Sequence, residues 1–150
     1  MGDLSKNFKC AFASSPATKS LIKKFNLESF KYESELINFP IMMATSKGQT
    51  DQGISPYNEN KENYDKISEK NKKVIGVRKG VDHGDMLVAH DPYMTAWFCC
   101  ILLDDSEASN AFCGKEAEIL RNDNWINCEI NKYLKLKIYL EKIIKFKIFY

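Results

Sequence analysis

The sequence predicts an α/β protein whose core is a three-stranded parallel sheet flanked by helices. Three short apolar runs have the length and composition of buried strands: Phe8–Pro16, Phe39–Ser46 and Lys73–Arg78. Segments with helical apolar spacing separate these runs, and strands that alternate with helices favour a parallel sheet. The 150 residues are enough for one such domain.

The first half of the chain supplies two of the strands. Phe8–Pro16 is apolar and ends in Ser-Ser-Pro, which is typical of a turn, and residues 17–30 have apolar side chains at the spacing of a short helix. The second strand, Phe39–Ser46, tolerates Pro40 because that residue lies at its start. Residues 47–60 are rich in Gly, Asp, Ser and Pro, and this composition predicts a loop.

The second half begins with a polar helix, for which residues 59–71 are predicted, and continues with the strand Lys73–Arg78 and the loop GVDHGD. The next helix starts at Asp91, a plausible N-cap followed by proline, and is apolar almost all round, as expected of a buried helix. Residues 106–120 predict one or two short helices with a break at Gly114.

The charge of the chain is divided unevenly. Residues 132–150 carry six lysines and one glutamate, so this tail contributes +5 to a net charge of +2 and the rest contributes −3. A mildly acidic body argues against a nucleic-acid-binding protein. Five cysteines without a C-x-x-C motif favour thiols over disulfides and do not predict a metal site. The N-terminus lacks an apolar secretory signal and no segment is long enough to span a membrane, so a cytoplasmic location is expected.

Two predicted loops carry titratable side chains at the carboxyl ends of parallel strands, where ligands bind in open sheets. Asp51 follows the second strand, and His83 follows the third between Asp82 and Asp85. Neighbouring strands would place the carboxylate beside the imidazole, and such a pair forms a general base because the acid orients the ring. The alternative is a solvated histidine in a turn. Asp82 and Asp85 are expected to stabilise the loop, and His90 to lie on the surface beside the next helix.

The stretch RKGVDHGDMLVAHDPYMTAWFCCILLDDSEASNAFCGKEAEIL resembles the last strand, histidine loop and closing helix of the α/β-hydrolases, in particular small esterases related to the dienelactone-hydrolase and polyester-hydrolase groups. INFPIMMATSKGQTD is similar to the preceding strand and acid loop of that superfamily. The resemblance implies that His83 is the triad histidine, that Asp51 is the best candidate for the triad acid, and that the substrate is a small-molecule ester. It implies no cofactor and no metal. Residues 1–131 would form the C-terminal portion of such a domain.

One element of the superfamily is missing from the sequence. The nucleophilic serine lies in a G-x-S-x-G motif before the acid and the histidine, and none of the seven glycines frames that motif. We therefore expect the 150-residue chain to be nearly inactive alone. The alternative is a non-enzymatic module that forms homo-oligomers through an exposed sheet edge.

The lysine-rich tail, Lys132–Tyr150, leaves three interpretations open. It could form a terminal helix, a basic amphipathic segment that binds anionic membrane surfaces, or a sequence not selected to fold.

Overall fold

The fold is centred on a four-stranded mixed sheet, which a computed structural model describes over residues 7–27, 33–131 and 134. The strands are β1 (Ala11–Ser14), β2 (Ile41–Ser46), β3 (Lys73–Arg78) and β4 (Trp125–Ile130), and they lie side by side in chain order. The pairs β1–β2 and β2–β3 are parallel, whereas β3–β4 is antiparallel. The predicted α/β class is confirmed. The three predicted strands are parallel neighbours, but the prediction that the sheet has only three strands was wrong, because β4 pairs with β3 as an antiparallel edge strand.

Six helices surround the sheet within the described residues: α1 (Lys19–Lys24), α2 (Gln49–Ile54), α3 (Tyr57–Lys66), α4 (Met86–Ala89), α5 (Asp91–Leu102) and α6 (Ser106–Ser109). Short 3₁₀ turns form at Ser34–Leu36, His83–Asp85 and Glu118–Leu120. The loop predicted over residues 47–60 was wrong, since α2 and the first turn of α3 lie there.

Side chains from the two faces of the sheet enter two separate apolar clusters, because successive residues of a strand point to opposite faces. Met42, Ala44 and Val74 pack on the α5 side, with Trp97 and Phe112 among their neighbours. On the other face, Ile41, Met43 and Ile75 pack with Tyr64 and Ile67. Every residue of β2 is buried as a result.

Helix α5 is less buried than its composition predicted. Only Trp97 and Cys100 of this helix are fully buried, whereas Leu102 is 52% and the following Leu103 is 72% exposed. Trp97 anchors the helix to the sheet, since its indole Nε1–H donates to the carbonyl oxygen of Ala11 at 2.9 Å.

A β-bulge shapes the pairing of β3 with β4. Ile75 lies opposite Glu129 and Val77 opposite Ile126, so that Asn127 and Cys128 together face the single residue Gly76. Asn127 has a φ of 51°, which is the left-handed conformation that a bulge of this kind requires. Gly76 is needed for space, because a Cβ there would lie 2.9 Å from Cys128 Sγ and 3.0 Å from the Trp125 ring.

A buried lysine joins α3 to β3. The Nζ of Lys73 donates to the carbonyl oxygens of Tyr64 (2.9 Å) and Ile67 (2.7 Å) and pairs with Glu69 at 2.7 Å. It also lies 4.4 Å from the centre of the Tyr64 ring. The ammonium group therefore bonds two carbonyls at the C-terminal end of α3, of which that of Tyr64 also accepts from the backbone N–H of Ile67 at 3.2 Å.

No helix within residues 7–27 and 33–131 is long and apolar enough to cross a membrane. The predicted tail Lys132–Tyr150 lies outside the described residues, apart from Leu134.

Candidate functional site

The turn after β2 places Asp51 in the interior of the protein. Strand β2 ends at Ser46, the backbone reverses through Gly48, and α2 begins at Gln49. Asp51 lies in the first turn of this helix and its side chain is 0% exposed. The backbone N–H of Ser46 donates to Asp51 Oδ2 at 2.5 Å, so one carboxylate oxygen is held by the end of the strand.

The loop after β3 brings His83 to the other carboxylate oxygen. The Nδ1 atom of His83 lies 2.7 Å from Asp51 Oδ1. A carboxylate only accepts hydrogen bonds, so the proton lies on Nδ1 and the ring presents Nε2 as its basic nitrogen. The His83 side chain is 39% exposed, in contrast to its buried partner. The structure thus brings together the two residues that the sequence singled out.

Parallel pairing of β2 with β3 explains why these residues meet. Ser46 and Arg78, the last residues of the two strands, are register partners. The acid and histidine loops therefore leave the same edge of the sheet from adjacent positions. The arrangement matches the acid and histidine of a catalytic triad in that a buried carboxylate orients a partly exposed imidazole.

The predicted role of Asp82 and Asp85 in the loop agrees with their contacts. The Asp82 side chain accepts from the backbone N–H of His83 at 2.7 Å, and Asp85 Oδ2 accepts from the backbone N–H of Asp82 at 3.2 Å. The Asp82 side chain also accepts from the backbone N–H of Asp85, and this bond together with the one from Asp82 N–H to Asp85 forms a capping box around the 3₁₀ turn that carries the histidine.

The prediction that His90 lies on the surface was wrong. This residue is 1% exposed and its ring is held between Trp125, which stacks at 5.3 Å, and Phe12, which meets it edge-on at 5.5 Å. Its Nδ1 lies 3.1 Å from Ser14 Oγ, while Nε2 has no hydrogen-bond partner among the described residues. Burial lowers the pKa of His90 to about 4, and the positive charge of Arg78 acts in the same direction.

A cleft of about 410 Å³ opens beside β4, and no motif in the sequence predicted it. Its lining combines apolar and polar side chains: Arg78, Ala89, Pro92, Tyr93, Ala96, Ala111, Glu118, Asn122, Asn124 and Trp125. Tyr93 donates to Glu118 at 2.5 Å and accepts from Asn122 at 2.7 Å. These polar groups of the cleft are therefore hydrogen-bonded to one another. Asp51 and His83 are not among the lining residues.

Within residues 7–27 and 33–131, no group of three or more His, Cys, Asp or Glu side chains is placed to hold a metal ion. No protein-family model matches the chain, and the comparison with curated proteins finds no match.

Proposed function

We propose that this chain is the acid–base portion of a carboxylic ester hydrolase related to the α/β-hydrolases, with His83 as general base and Asp51 as its orienting acid. The observation that carries the proposal is the 2.7 Å contact between His83 Nδ1 and Asp51 Oδ1 at the carboxyl ends of adjacent parallel strands. The resemblance of the sequence around both residues to that superfamily supports it. A small-molecule ester is the proposed substrate.

The proposed chemistry uses the nitrogen of His83 that does not face Asp51. Nε2 takes a proton from an attacking hydroxyl group as its oxygen bonds to the ester carbonyl carbon. The imidazolium, stabilised by the Asp51 carboxylate, then returns that proton to the departing alcohol as the ester C–O bond breaks. The sequence has no G-x-S-x-G motif, so in this proposal the attacking hydroxyl group is that of a water molecule.

An activated ester tests this proposal, since a good leaving group makes slow water attack measurable. We expect pure protein to release p-nitrophenolate from p-nitrophenyl acetate slowly at pH 7.5, and His83→Gln to remove the protein-dependent rate. Asp51→Asn should lower that rate at least about tenfold, because the amide no longer holds the ring in the required tautomer.

The second histidine provides a matched control. His90→Gln removes the same kind of side chain from a buried position and should leave the rate unchanged. Equal rates for the unmodified protein and His83→Gln would exclude His83 as the base.

A second candidate function is self-association through the sheet edge, which would make the chain an interaction module. Within the described part of the chain, β1 is an outer strand that pairs only with β2, and all four of its residues are half-buried. An unpaired strand edge is a template for a further strand. Sedimentation equilibrium at several protein concentrations tests this candidate, which predicts a mass that rises with concentration; a constant monomer mass would exclude it.

A further inference from the structure

We propose that Asp82 is a positioning residue that joins the acid loop to the histidine loop and thereby sets the Asp51–His83 contact. This inference builds on the proposed function of that pair, and it assigns a specific task to a carboxylate that touches neither catalytic side chain. The task is to fix two backbone segments relative to each other.

The Asp82 carboxylate accepts hydrogen bonds from both loops at once. On the acid side, the backbone N–H of Asp51 donates to Oδ1 at 2.8 Å and that of Thr50 donates to Oδ2 at 3.2 Å. On the histidine side, the backbone N–H of His83 donates to Oδ1 at 2.7 Å. A single oxygen atom therefore bonds the backbones of the two residues whose side chains meet.

These donors explain why a carboxylate stands at this position. The first-turn N–H groups of a helix have no acceptor within the helix, and Thr50 and Asp51 lie in the first turn of α2. Hydrogen bonds to an ionised acceptor are roughly twice as strong as neutral ones. In agreement, the pKa of Asp82 is lowered to about 2, mainly by the backbone N–H of Asp51 and then by that of His83.

The acid loop is shaped to receive this side chain. A Cβ at Gly48 would lie 2.2 Å from Asp82 Oδ1 and 2.5 Å from Asp82 Cα, which no real structure tolerates. Gly48 has a φ of −62°, so the constraint at this position is space and not backbone conformation. The absence of a side chain at Gly48 lets the histidine loop lie directly against the start of α2.

The unmodified protein provides the first test. Amide hydrogen exchange measured by NMR should show Thr50 and Asp51 at least tenfold more protected than unstructured peptides of the same sequence. First-turn amides without a capping acceptor exchange readily, so exchange at the unstructured rate would overturn the inference without any substitution.

The second test uses Asp82→Asn and reads out the His83 ring by ¹⁵N NMR at a pH where the ring is neutral. We expect the unmodified protein to show the Nδ1–H tautomer and the variant to shift toward the Nε2–H tautomer, because the ring no longer meets Asp51 in the same geometry. Asp82→Ser is a second variant that keeps a local acceptor for the His83 N–H but is too short to reach α2. It should show the same shift, and it keeps the test decisive if Asp82→Asn fails to fold.

Asp85→Asn is the matched control, since Asp85 lies in the same 3₁₀ turn and bonds to the backbone of Asp82 but not to α2. It should leave the tautomer unchanged. An unchanged tautomer in folded Asp82→Asn and Asp82→Ser would also overturn the inference.

The activity of the same variants separates this inference from the proposed function. If His83 is the base, Asp82→Asn should slow p-nitrophenyl acetate hydrolysis about tenfold to a hundredfold, since small displacements of catalytic groups have effects of that size. A tautomer shift in a protein with no His83-dependent hydrolysis would support the role of Asp82 and contradict the proposed function. If hydrolysis depends on His83 but Asp82→Asn alters neither the rate nor the tautomer, the result would support the proposed function and contradict the role of Asp82.

Discussion

Protonation of His90 should make the stability of this protein strongly dependent on pH below neutrality. The ring is 1% exposed and lies between Phe12 and Trp125, an environment that cannot solvate an imidazolium. Its pKa falls from an ordinary value of 6.5 to about 4 in the folded state. Between these two values the unfolded chain binds a proton that the folded protein does not.

The sign and size of the effect follow from this difference. The lowered pKa contributes stability that is fully present above pH 6.5 and is lost as the pH falls toward 4. Each pH unit in that window is worth about 1.4 kcal/mol, so the loss amounts to about 3 kcal/mol. A typical domain has 5–15 kcal/mol in total, so a loss of this size is readily measured.

Urea unfolding followed by tryptophan fluorescence provides the measurement, with unmodified protein and His90→Gln compared at pH 7, 6, 5 and 4. Glutamine cannot titrate, so the free energy of unfolding of the unmodified protein should fall by about 3 kcal/mol more than that of the variant. The difference between the two proteins isolates His90 from every other titrating group. Parallel pH profiles would refute the argument that burial keeps this ring neutral.

Three further substitutions, with Gly53→Ala as a control, test the packing by urea unfolding at pH 7. Trp97→Ala should lower the free energy of unfolding by about 3–5 kcal/mol, because it leaves a cavity in the largest apolar cluster and removes the bond that ties α5 to β1. Lys73→Met keeps the apolar stem but removes the donor to the Ile67 carbonyl, at a cost of about 1–3 kcal/mol, whereas the Tyr64 carbonyl still accepts from the backbone N–H of Ile67. Gly76→Ala should cost about 1–3 kcal/mol because its Cβ would lie 2.9 Å from Cys128 Sγ, whereas Gly53→Ala, which faces open space, should cost nothing. Unfolding energies equal to that of the unmodified protein would contradict each of the first three expectations.

The sequence predicted the parallel part of the sheet well because its strands are continuous apolar runs. β2 and β3 are buried on both faces, so every residue contributes to the signal and Lys73–Arg78 was located to the residue. The meeting of Asp51 and His83 followed from topology alone, since loops that leave adjacent parallel strands share one edge.

The fourth strand escaped prediction for a local reason. A half-buried strand is recognised by strict alternation of apolar and polar residues, and the bulge at Asn127 and Cys128 interrupts that alternation. The two buried residues of β4, Trp125 and Ile130, are therefore five positions apart, whereas a regular strand would bury every second residue. The letters of this strand, WINCEI, begin with two adjacent apolar residues and then include Asn127 and Glu129, so they fit neither strict alternation nor a continuous apolar run.

The burial of His90 escaped prediction for a non-local reason. The letters around it, VAHDPY, resemble the exposed start of a helix, and Asp91 and Pro92 are indeed exposed. The rings that enclose His90 come from β1 and β4, which are far away along the chain. Nothing within the local window indicates that they converge.

The strand order β1-β2-β3-β4 has a consequence for how the protein acquires its structure. Each strand pairs with the one made just before it, so the sheet can be extended in the direction of synthesis without waiting for a distant segment. The acid and the imidazole both lie within the span from β2 to the turn at His83–Asp85, so the residues that make this contact all precede α5 and β4 in the chain. The edge of the sheet that carries Asp51 and His83 can therefore form before α5 and β4 pack against the sheet.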